Sequence, residues 1–196
     1  MLLDKLSKFK LILASKSPRR QFLMQEAGFK FTVEVKDEIQ EDFPTNLKKE
    51  NIALYLAEHK SNSFGELDSD NTIVITADTI VWINNEVINK PESREDAIKM
   101  IEKLSGNEHF VYSGVCLRSS KKQKTFFVCT SVKFKKLTNA EITYYVDNFK
   151  PFDKAGAYGI QEWIGYIGIE EIKGCFYNVM GLPVQRLYEE LDKFID

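Results

Sequence analysis

The sequence lacks the features that mark several common protein classes. It has only three cysteines, an odd number with no CxxC pair, and its two histidines stand far apart, so neither a disulfide framework nor a zinc site is expected. Its 27 lysines and arginines are outnumbered by 29 aspartates and glutamates, which argues against a general nucleic-acid partner. No apolar run is long enough to cross a membrane, and the first residues do not resemble a signal peptide. We therefore expect a cytoplasmic protein with neither nucleic acid nor membrane as partner.

Three widespread catalytic motifs are missing as well. The chain contains no GxxxxGK[ST] phosphate loop, no GxSxG nucleophile turn and no HExxH zinc motif. No cysteine lies in a recognisable nucleophile motif. Any reaction must then depend on hydroxyl, cationic and carboxylate groups, which favours metal-assisted attack by water over a covalent intermediate.

The order of periodic segments predicts one α/β domain over residues 1–196. A buried strand is expected at Lys10–Ala14, a helix from Pro18 to Ala27, an alternating strand at 29–35 and a second helix from Asn46 to Phe64. Two strands joined by a polar loop form an expected hairpin, so the sheet should be mixed rather than purely parallel. In the first half of the chain we also expect an acidic loop at 37–45, β-branched strands at 72–77 and 79–83 separated by Asp78, and a turn at 84–85. A helix capped by Ser93, hairpin strands at 109–117 and 124–134 and a helix with a capping box at Thr138 should follow. The stretch 156–181 is glycine-rich and should contain loop and short strand without helices, and a last helix should begin after Pro183.

The segment Ser15 to Arg20 is the first candidate binding site. It follows a strand and opens a helix, with Ser17 as N-cap and Pro18 at the first helical position. Arg19 and Arg20 lie at the positive end of the helix dipole, where cations are unfavourable unless an anion compensates them. Because guanidinium groups also suit phosphate oxygens, the pattern indicates phosphate binding. A solvated first turn whose arginines pair with carboxylates is the alternative.

The carboxylate of Asp78 is the strongest candidate for catalysis. It interrupts the apolar, β-branched run from Ile73 to Val81, where a buried charge is costly without partners. We expect it at the end of an apolar strand, where it can ligate Mg²⁺ or accept a proton from water. An aspartate that only forms a turn or bulge between two strands is the alternative.

Four further positions carry weaker indications. Lys60 and Lys90 are lone lysines, which are usually solvated. Glu41 belongs to an acidic loop, although carboxylates together with substrate phosphates commonly hold Mg²⁺. Gln161 ends the glycine-rich DKAGAYGIQ and offers both a donor and an acceptor, as reading the edge of a base requires. A plain glycine-rich turn is the alternative.

Five motifs, taken in order from Leu13 to Pro183, resemble one known family. LASKSPRR is similar to the LASxSPRR signature of the Maf proteins, and ITADTIVW is similar to their GADTxV segment. NKP followed by LSGNEHFVYSGVCL, then DKAGAYGIQ and YNVMGLP, match the remaining signatures in the same order. The resemblance covers nearly the whole chain.

The resemblance to Maf proteins, which are nucleotide pyrophosphatases, implies a fold and an activity. The expected fold is a mixed twisted sheet flanked by helices, with two lobes around a cleft, similar to the inosine-triphosphate pyrophosphatases. The expected activity is hydrolysis of a nucleoside triphosphate to its monophosphate and pyrophosphate, with Mg²⁺ or Mn²⁺ as cofactor. A homodimer is implied by the same likeness.

The resemblance also implies roles for individual residues. Asp78 matches the proton acceptor and metal ligand, and Glu41 matches a second metal or water ligand. The positions matched to phosphate contacts are Ser15, Arg19, Lys60 and Lys90. Arg20, Thr79 and Gln161 match the triplet of the branch that acts on dTTP and UTP.

Two other functions stay open at this point. One is a nucleotide-binding regulator of cell division with little catalysis. The other is a pyrophosphatase for methylated or purine triphosphates such as 7-methyl-GTP.

Overall fold

The computed structural model describes residues 1–36, 41–67 and 69–196, which form eight α-helices, seven strands and one turn of 3-10 helix. The first four residues of the expected acidic loop, 37–40, lie outside the described residues. None of the helices formed by the described residues combines the length and the apolar character needed to span a membrane. The helices are α1 (Leu2–Leu6), α2 (Pro18–Glu26), α3 (Glu50–Asn62), α4 (Arg94–Leu104), α5 (Asn139–Phe149), α6 (Trp163–Gly168), α7 (Phe176–Met180) and α8 (Val184–Ile195), with the 3-10 turn at Ala155–Ala157. The strands are β1 (Lys10–Leu13), β2 (Thr32–Val33), β3 (Thr72–Ile83), β4 (Glu86–Ile88), β5 (Glu108–Arg118), β6 (Gln123–Phe134) and β7 (Ile169–Lys173).

The strands form a mixed sheet in the order β2-β1-β3-β5-β6-β7, with β4 paired to β3. β1 is parallel to both β2 and β3, whereas β4 is antiparallel to β3 and β7 is antiparallel to β6. The prediction of an α/β fold with a mixed sheet and flanking helices is confirmed.

The chain divides into two compact units. The first, unit 1, consists of Met1–Asp78, Ser113–Val128 and Gly181–Asp196, and unit 2 consists of Thr79–Tyr112 and Cys129–Met180. The expectation of one domain over residues 1–196 stays a prediction.

Unit 1 is built on a close approach between β5 and α3. A Cβ atom added to Gly114 of β5 would lie 2.3 Å from the carbonyl oxygen of Ala53 and 2.7 Å from the amide nitrogen of Leu54. Contacts that short are impossible, so only glycine lets the helix backbone lie directly on the strand. The small, fully buried Ala53 and Ala57 continue the same packing along α3.

The helices of unit 2 pack through α4, which contacts both α5 and the 3-10 turn. An exposed two-bond ion pair joins α4 to α5, with Arg94 donating to the two carboxylate oxygens of Asp147 at 2.6 and 2.9 Å. Ser93 caps α4, and Thr138 and Glu141 form the expected capping box of α5. These caps confirm the starts of both helices that the sequence predicts.

Several expected elements differ in extent. β2 covers only Thr32–Val33 of the expected strand at 29–35, and α3 begins at Glu50 rather than Asn46. The residues that α3 loses at its start are mostly exposed, whereas the strand expected at 29–35 also loses the buried Phe29. The expected turn at Asn84–Asn85 is confirmed, because both residues have positive φ angles, of 50° and 64°.

The prediction that the glycine-rich stretch contains no helix is wrong. Two short helices, α6 and α7, lie within it, together with β7. Gly165 is inside α6, and a Cβ atom there would lie 1.8 Å from the carbonyl oxygen of Ile160. The glycine is therefore required by close backbone contact, and α6 tolerates it because tertiary packing outweighs the roughly 1 kcal/mol loss of helix propensity.

His109 lies in a buried aromatic cluster of unit 2. Its ring forms edge-to-face contacts with Phe134 and Tyr158, and its Nε2 shares a 2.8 Å hydrogen bond with the hydroxyl of Tyr158. Burial lowers the pKa of His109 from 6.5 to about 3. The imidazole is therefore neutral in the folded protein near pH 7.

This depressed pKa of His109 predicts a specific loss of stability in acid. The unfolded state takes up a proton below about pH 6.5, so the contribution of the neutral imidazole is complete above pH 6.5 and falls as the pH approaches 3. Between pH 7.5 and 4.5, the free energy of unfolding should fall by about 2–3 kcal/mol more in the unsubstituted protein than in a His109→Phe, Tyr158→Phe double variant. Urea denaturation at both pH values measures this difference.

A His59→Gln variant is the control, since His59 is exposed on α3. It should keep the pH dependence of the unsubstituted protein. Identical pH dependence in the His109 double variant and the unsubstituted protein would contradict the neutral, buried state of His109.

Candidate functional site

The site in unit 1 lies where β1 ends and β3 continues beside it. The two parallel strands are paired up to Leu13 and Ile75, and the amide of Ala14 then donates to the carbonyl oxygen of Ile75 at 2.9 Å. From there β1 leads into α2, whereas β3 continues through Asp78. Carboxyl ends of parallel strands are where α/β proteins commonly bind ligands.

Asp78 lies inside a continuous strand, so the prediction that it marks the end of an apolar strand is wrong. β3 runs without interruption from Thr72 to Ile83, because its β-branched residues continue on both sides of the carboxylate. It is β1, not β3, that ends near this level. The side chain of Asp78 retains 11% exposure, so the carboxylate is largely buried but not sealed from solvent.

The start of α2 is organised by two serine hydroxyls. Ser17 is the N-cap, accepting from the amide of Arg20, and Pro18 occupies the first helical position as predicted. The hydroxyl oxygen of buried Ser15 accepts from the amide of Ser17 at 3.2 Å and from Nη1 of Arg20 at 3.3 Å. The hydroxyl groups thus fix both the helix start and one arginine.

Arg20 is held by unit 1 in a poorly solvated position. Its Nε donates to the carbonyl oxygen of Gly181 at 2.8 Å, which connects the start of α2 to the turn before α8. Burial lowers the pKa of Arg20, the carboxylates of Asp78 and Glu41 act in the opposite direction, and the neighbouring charge of Arg19 lowers it further. Because a guanidinium stays protonated at neutral pH, this arrangement concentrates positive charge where an anion would be stabilised.

Two carboxylates converge on one ammonium group in the same unit. Nζ of Lys60 lies 2.5 Å from Oδ1 of Asp78 and 2.7 Å from Oε1 of Glu41. The side chain of Lys60 is only 14% exposed, and that of Glu41 is 46% exposed. Solvent therefore screens the attraction between Lys60 and the largely buried Asp78 less than the attraction between Lys60 and Glu41.

Thr76 anchors β3 to the helix that carries Lys60. Its hydroxyl donates to the carbonyl oxygen of Ala57 on α3 at 2.6 Å, in the core of unit 1. Thr76 and Asp78 are two residues apart on a strand and share one face, while Ala57 and Lys60 are three apart on a helix. The hydrogen bond from Thr76 to Ala57 and the ion pair between Asp78 and Lys60 therefore both connect β3 to α3.

A divalent cation fits the two carboxylates only with help from substrate. Across residues 1–36, 41–67 and 69–196, no three His, Cys, Asp or Glu side chains come together as ligands for a metal ion. Asp78 and Glu41 nevertheless direct oxygens to one cationic atom, the ammonium nitrogen of Lys60. Mg²⁺ is commonly bound by one or two carboxylates plus substrate phosphates, so this donor set suits a hard cation completed by a triphosphate.

The other predicted residues belong to unit 2. Thr79 follows Asp78 directly on β3 and is half-buried, and Lys90 is exposed just after β4. Asn89, beside Lys90, accepts from the amide of Gly156 at 3.0 Å, which joins that turn to the glycine-rich segment. The side-chain oxygen of Gln161 is buried and accepts no hydrogen bond from the described residues.

The structure therefore groups five predicted residues within unit 1 by direct contact or electrostatic effect: Ser15, Arg20, Glu41, Lys60 and Asp78. Arg19 is half-buried beside Arg20 on the first turn of α2. Thr79, Lys90 and Gln161 are described with unit 2.

Sequence reasoning missed two groups that support the site. Thr76 was interpreted only as part of a β-branched run, and no local pattern indicates its bond to α3. The carbonyl of Gly181 was also missed, although the sequence predicts the helix that begins after Pro183. Both contacts join residues remote in sequence, so only the three-dimensional structure reveals them.

Known proteins resemble the chain over nearly its whole length. A dTTP/UTP pyrophosphatase from Bacteroides thetaiotaomicron is 46% identical over 192 residues, covering 98% of this chain and 100% of the relative. A dTTP/UTP pyrophosphatase from Parabacteroides distasonis is 48% identical over 193 residues, with the same coverage. Among solved structures, a HAM1 protein from Coxiella burnetii has a similar fold, with a TM-score of 0.51 at 13% identity over 94% of this chain and 99% of that one. The family described as Maf-like protein matches residues 10–194, and the chain belongs to this family.

Proposed function

We propose that this chain hydrolyses dTTP and UTP to the monophosphate and pyrophosphate by attack of water on the α-phosphorus. The observation that carries the proposal is the convergence of Asp78 and Glu41 on Lys60, within electrostatic reach of the half-buried Arg20. Carboxylates and cations so combined suit a negatively charged phosphate chain and its hydrolysis. Relatives that match nearly the full chain are named dTTP/UTP pyrophosphatases, which supports dTTP and UTP as substrates.

The phosphate chain is proposed to bind at the start of α2. Ser15, Arg19 and Arg20 supply a hydroxyl and two guanidinium groups at the positive end of the helix dipole. Lys60 and Lys90 are proposed to contact further phosphate oxygens. A triphosphate that binds Lys60 also weakens the hold of this ammonium on Asp78, because phosphate oxygens compete for the same donor hydrogens.

Asp78 is proposed to take the proton of the attacking water. Its carboxylate keeps slight solvent access, which a general base requires, and it is oriented by the short bond to Lys60. Binding of phosphate to Lys60 frees a lone pair of Asp78 for the water. Pyrophosphate then leaves with its charge stabilised by the arginines and lysines.

Mg²⁺ or Mn²⁺ is the proposed cofactor, held by Asp78 and Glu41. When bound there, a divalent cation offsets the charge of the triphosphate and acidifies a nearby water. The fit of the two carboxylates to a hard cation supports this assignment.

Base selection is proposed to depend on Gln161, with Arg20 and Thr79 as the other two residues of the triplet. The buried oxygen of the Gln161 amide accepts no hydrogen bond from the described residues, and thymine and uracil each carry an N–H on the edge that pairs with other bases. A buried acceptor without a donor is costly, by roughly 1–3 kcal/mol, so a base that supplies the donor is favoured.

A substrate panel tests the proposed function. We expect dTTP and UTP to give higher kcat/KM than CTP, ATP, GTP and 7-methyl-GTP when pyrophosphate release is measured with Mg²⁺ or Mn²⁺. Against CTP, the reason is that N3 of uracil and thymine carries a hydrogen for the acceptor of Gln161, whereas N3 of cytosine carries none. Against the purine nucleotides, the expectation follows the activity for which the relatives are named.

Two outcomes of the same panel would contradict the proposal. Tight nucleotide binding without pyrophosphate release would favour a regulator of cell division. A preference for 7-methyl-GTP would instead favour a pyrophosphatase for methylated purine nucleotides. A cytoplasmic location and a homodimeric state complete the proposal, and fractionation and light scattering test them.

A further inference from the structure

A buried polar network in unit 2 surrounds the turn that contains Gln161. The hydroxyl of Tyr145, a fully buried residue of α5, donates to Oε2 of Glu162, while the amide of Gly159 donates to the same hydroxyl oxygen at 2.9 Å. On the other side of Glu162, Nζ of Lys154 lies 3.0 Å from Oε1. The side chains of Lys154 and Glu162 are only 10% and 20% exposed. Both carboxylate oxygens of Glu162 are therefore occupied by partners inside unit 2.

This network closes around a tight turn from Gly159 to Glu162. The amide of Glu162 donates to the carbonyl oxygen of Gly159 at 3.0 Å, so Ile160 and Gln161 occupy the two central positions. A Cβ atom on Gly159 would lie 2.9 Å from Oε2 and 2.7 Å from the carboxyl carbon of Glu162. The carboxylate thus rests directly on the backbone of the turn, in space that any other residue at 159 would fill.

The segment before the turn is held in an unfavourable backbone conformation. Ala157 has a φ angle of 56°, which costs an alanine roughly 1 kcal/mol or more. The amide of Ala157 donates to the carbonyl oxygen of Lys154 at 3.1 Å, so the residue that pairs with Glu162 also closes this bend. Such strain persists only where surrounding contacts fix the backbone, and the Tyr145–Glu162–Lys154 network supplies them.

We infer that Tyr145 and Glu162 are positioning residues for Gln161, and that they set base selection without taking part in phosphate chemistry. The inference rests on the proposed function, because Gln161 is the proposed base-reading group. The hydrogen-bond and ion-pair partners described for the side chains of Tyr145 and Glu162, apart from each other, are Gly159 and Lys154, which lie in unit 2. Their effect reaches the substrate only through the backbone of the turn.

The physical reason lies in how discrimination depends on geometry. A hydrogen-bonding site rejects an incorrect partner strongly only when its donor and acceptor are fixed, since a mobile amide can rotate to suit either base edge. Gln161 carries a donor and an acceptor at one end, so an unfixed turn would accept cytosine as well as uracil. The network restricts that freedom.

A Tyr145→Phe variant tests the inference. Phenylalanine keeps the buried ring but removes the group that bonds both the amide of Gly159 and the carboxylate of Glu162. We expect the ratio of kcat/KM for UTP over CTP to fall about tenfold, mainly through a higher KM for UTP, with kcat changed less than about threefold. Tyr144→Phe is the matched control, since Tyr144 is the neighbouring, half-exposed tyrosine of the same helix and its ring contacts survive the change. The control should keep the ratio of the unsubstituted protein.

A Glu162→Gln variant provides a second test if Tyr145→Phe folds poorly. It keeps the size of the side chain and an acceptor for Tyr145 but removes the charge that pairs with Lys154. The same loss of UTP-over-CTP selectivity, with kcat retained, supports the inference. Retained selectivity in a folded Glu162→Gln or Tyr145→Phe variant overturns it. Failure of the unsubstituted protein to hydrolyse either dTTP or UTP instead overturns the proposed function on which the inference rests.

Discussion

Asp78→Asn is expected to lower the turnover of dTTP at least ~100-fold, because asparagine cannot take a proton from water. The amide keeps the shape of the side chain, and its oxygen can still accept from Nζ of Lys60, which also keeps its contact with Glu41. The fold should therefore survive even though the base and one negative charge are lost. Pyrophosphate release under saturating dTTP measures the effect, and circular dichroism checks the fold.

Asp70→Asn is the control for the same chemical change. Asp70 is an exposed residue shortly before β3, where it pairs with Lys121 and accepts from the hydroxyl of Ser120. Its replacement should leave turnover unchanged, since exposed ion pairs contribute little to stability. Near-normal turnover in a folded Asp78→Asn variant would remove Asp78 from the role of general base.

Gly114→Ala is expected to destabilise the protein by about 3 kcal/mol, at the upper end of the usual cost of overpacking. The added methyl group would meet the backbone of Ala53 and Leu54, which cannot rotate away as a side chain can. α3 must therefore shift as a body, and Lys60 shifts with it. Urea denaturation measures the loss, and a fall in turnover should accompany it because the bond between Lys60 and Asp78 is disturbed.

Gly65→Ala separates this steric effect from the ordinary cost of replacing glycine. Gly65 has a φ angle of +63°, and among the described residues no atom lies within 4 Å of the place of an added Cβ. Its replacement should lower the free energy of unfolding by only about 1 kcal/mol, the usual cost of holding an alanine in the left-handed region. A Gly114→Ala variant no less stable than Gly65→Ala would show that β5 and α3 do not lie as close as described.

The parts of the fold that local chemistry controls could be predicted from the sequence. Ser17, Ser93 and Thr138 mark helix starts because their hydroxyl oxygens satisfy amides that the helix leaves without partners, and all three act as caps. The turn at 84–85 was predictable because asparagine tolerates positive φ. These signals need only neighbouring residues.

The parts that depend on remote contacts could not be predicted. Asp78 lies inside β3 because strand pairing continues past it. The sequence instead predicted that the strand ends at Asp78, because an isolated buried carboxylate is costly. The ammonium of Lys60, eighteen residues earlier, offsets that cost. The helix at Trp163–Gly168 was missed because glycine lowers helix propensity, whereas here close packing requires it.

The site residues likewise divide into those that local sequence indicates and those that only remote contacts bring together. The motifs suggested Ser15, Arg20 and Asp78 through their placement at a helix start and in an apolar run. The convergence of Glu41 and Asp78 on one ammonium depends on the path of α3 across the sheet, which no spacing in the sequence reports. The roles of all these residues stay predictions.

The hydrogen bond from Thr76 to Ala57 fixes the positions of Lys60 and Asp78 along α3 and β3. Three residues of helix advance roughly 4.5 Å and two residues of strand roughly 6.6 Å, so the anchor sets how far along each element the ammonium and the carboxylate lie. One inserted residue between Thr76 and Asp78 would turn the carboxylate to the opposite face of the sheet. Length changes between relatives that keep this arrangement should therefore be confined to loops and be absent from these two short spans.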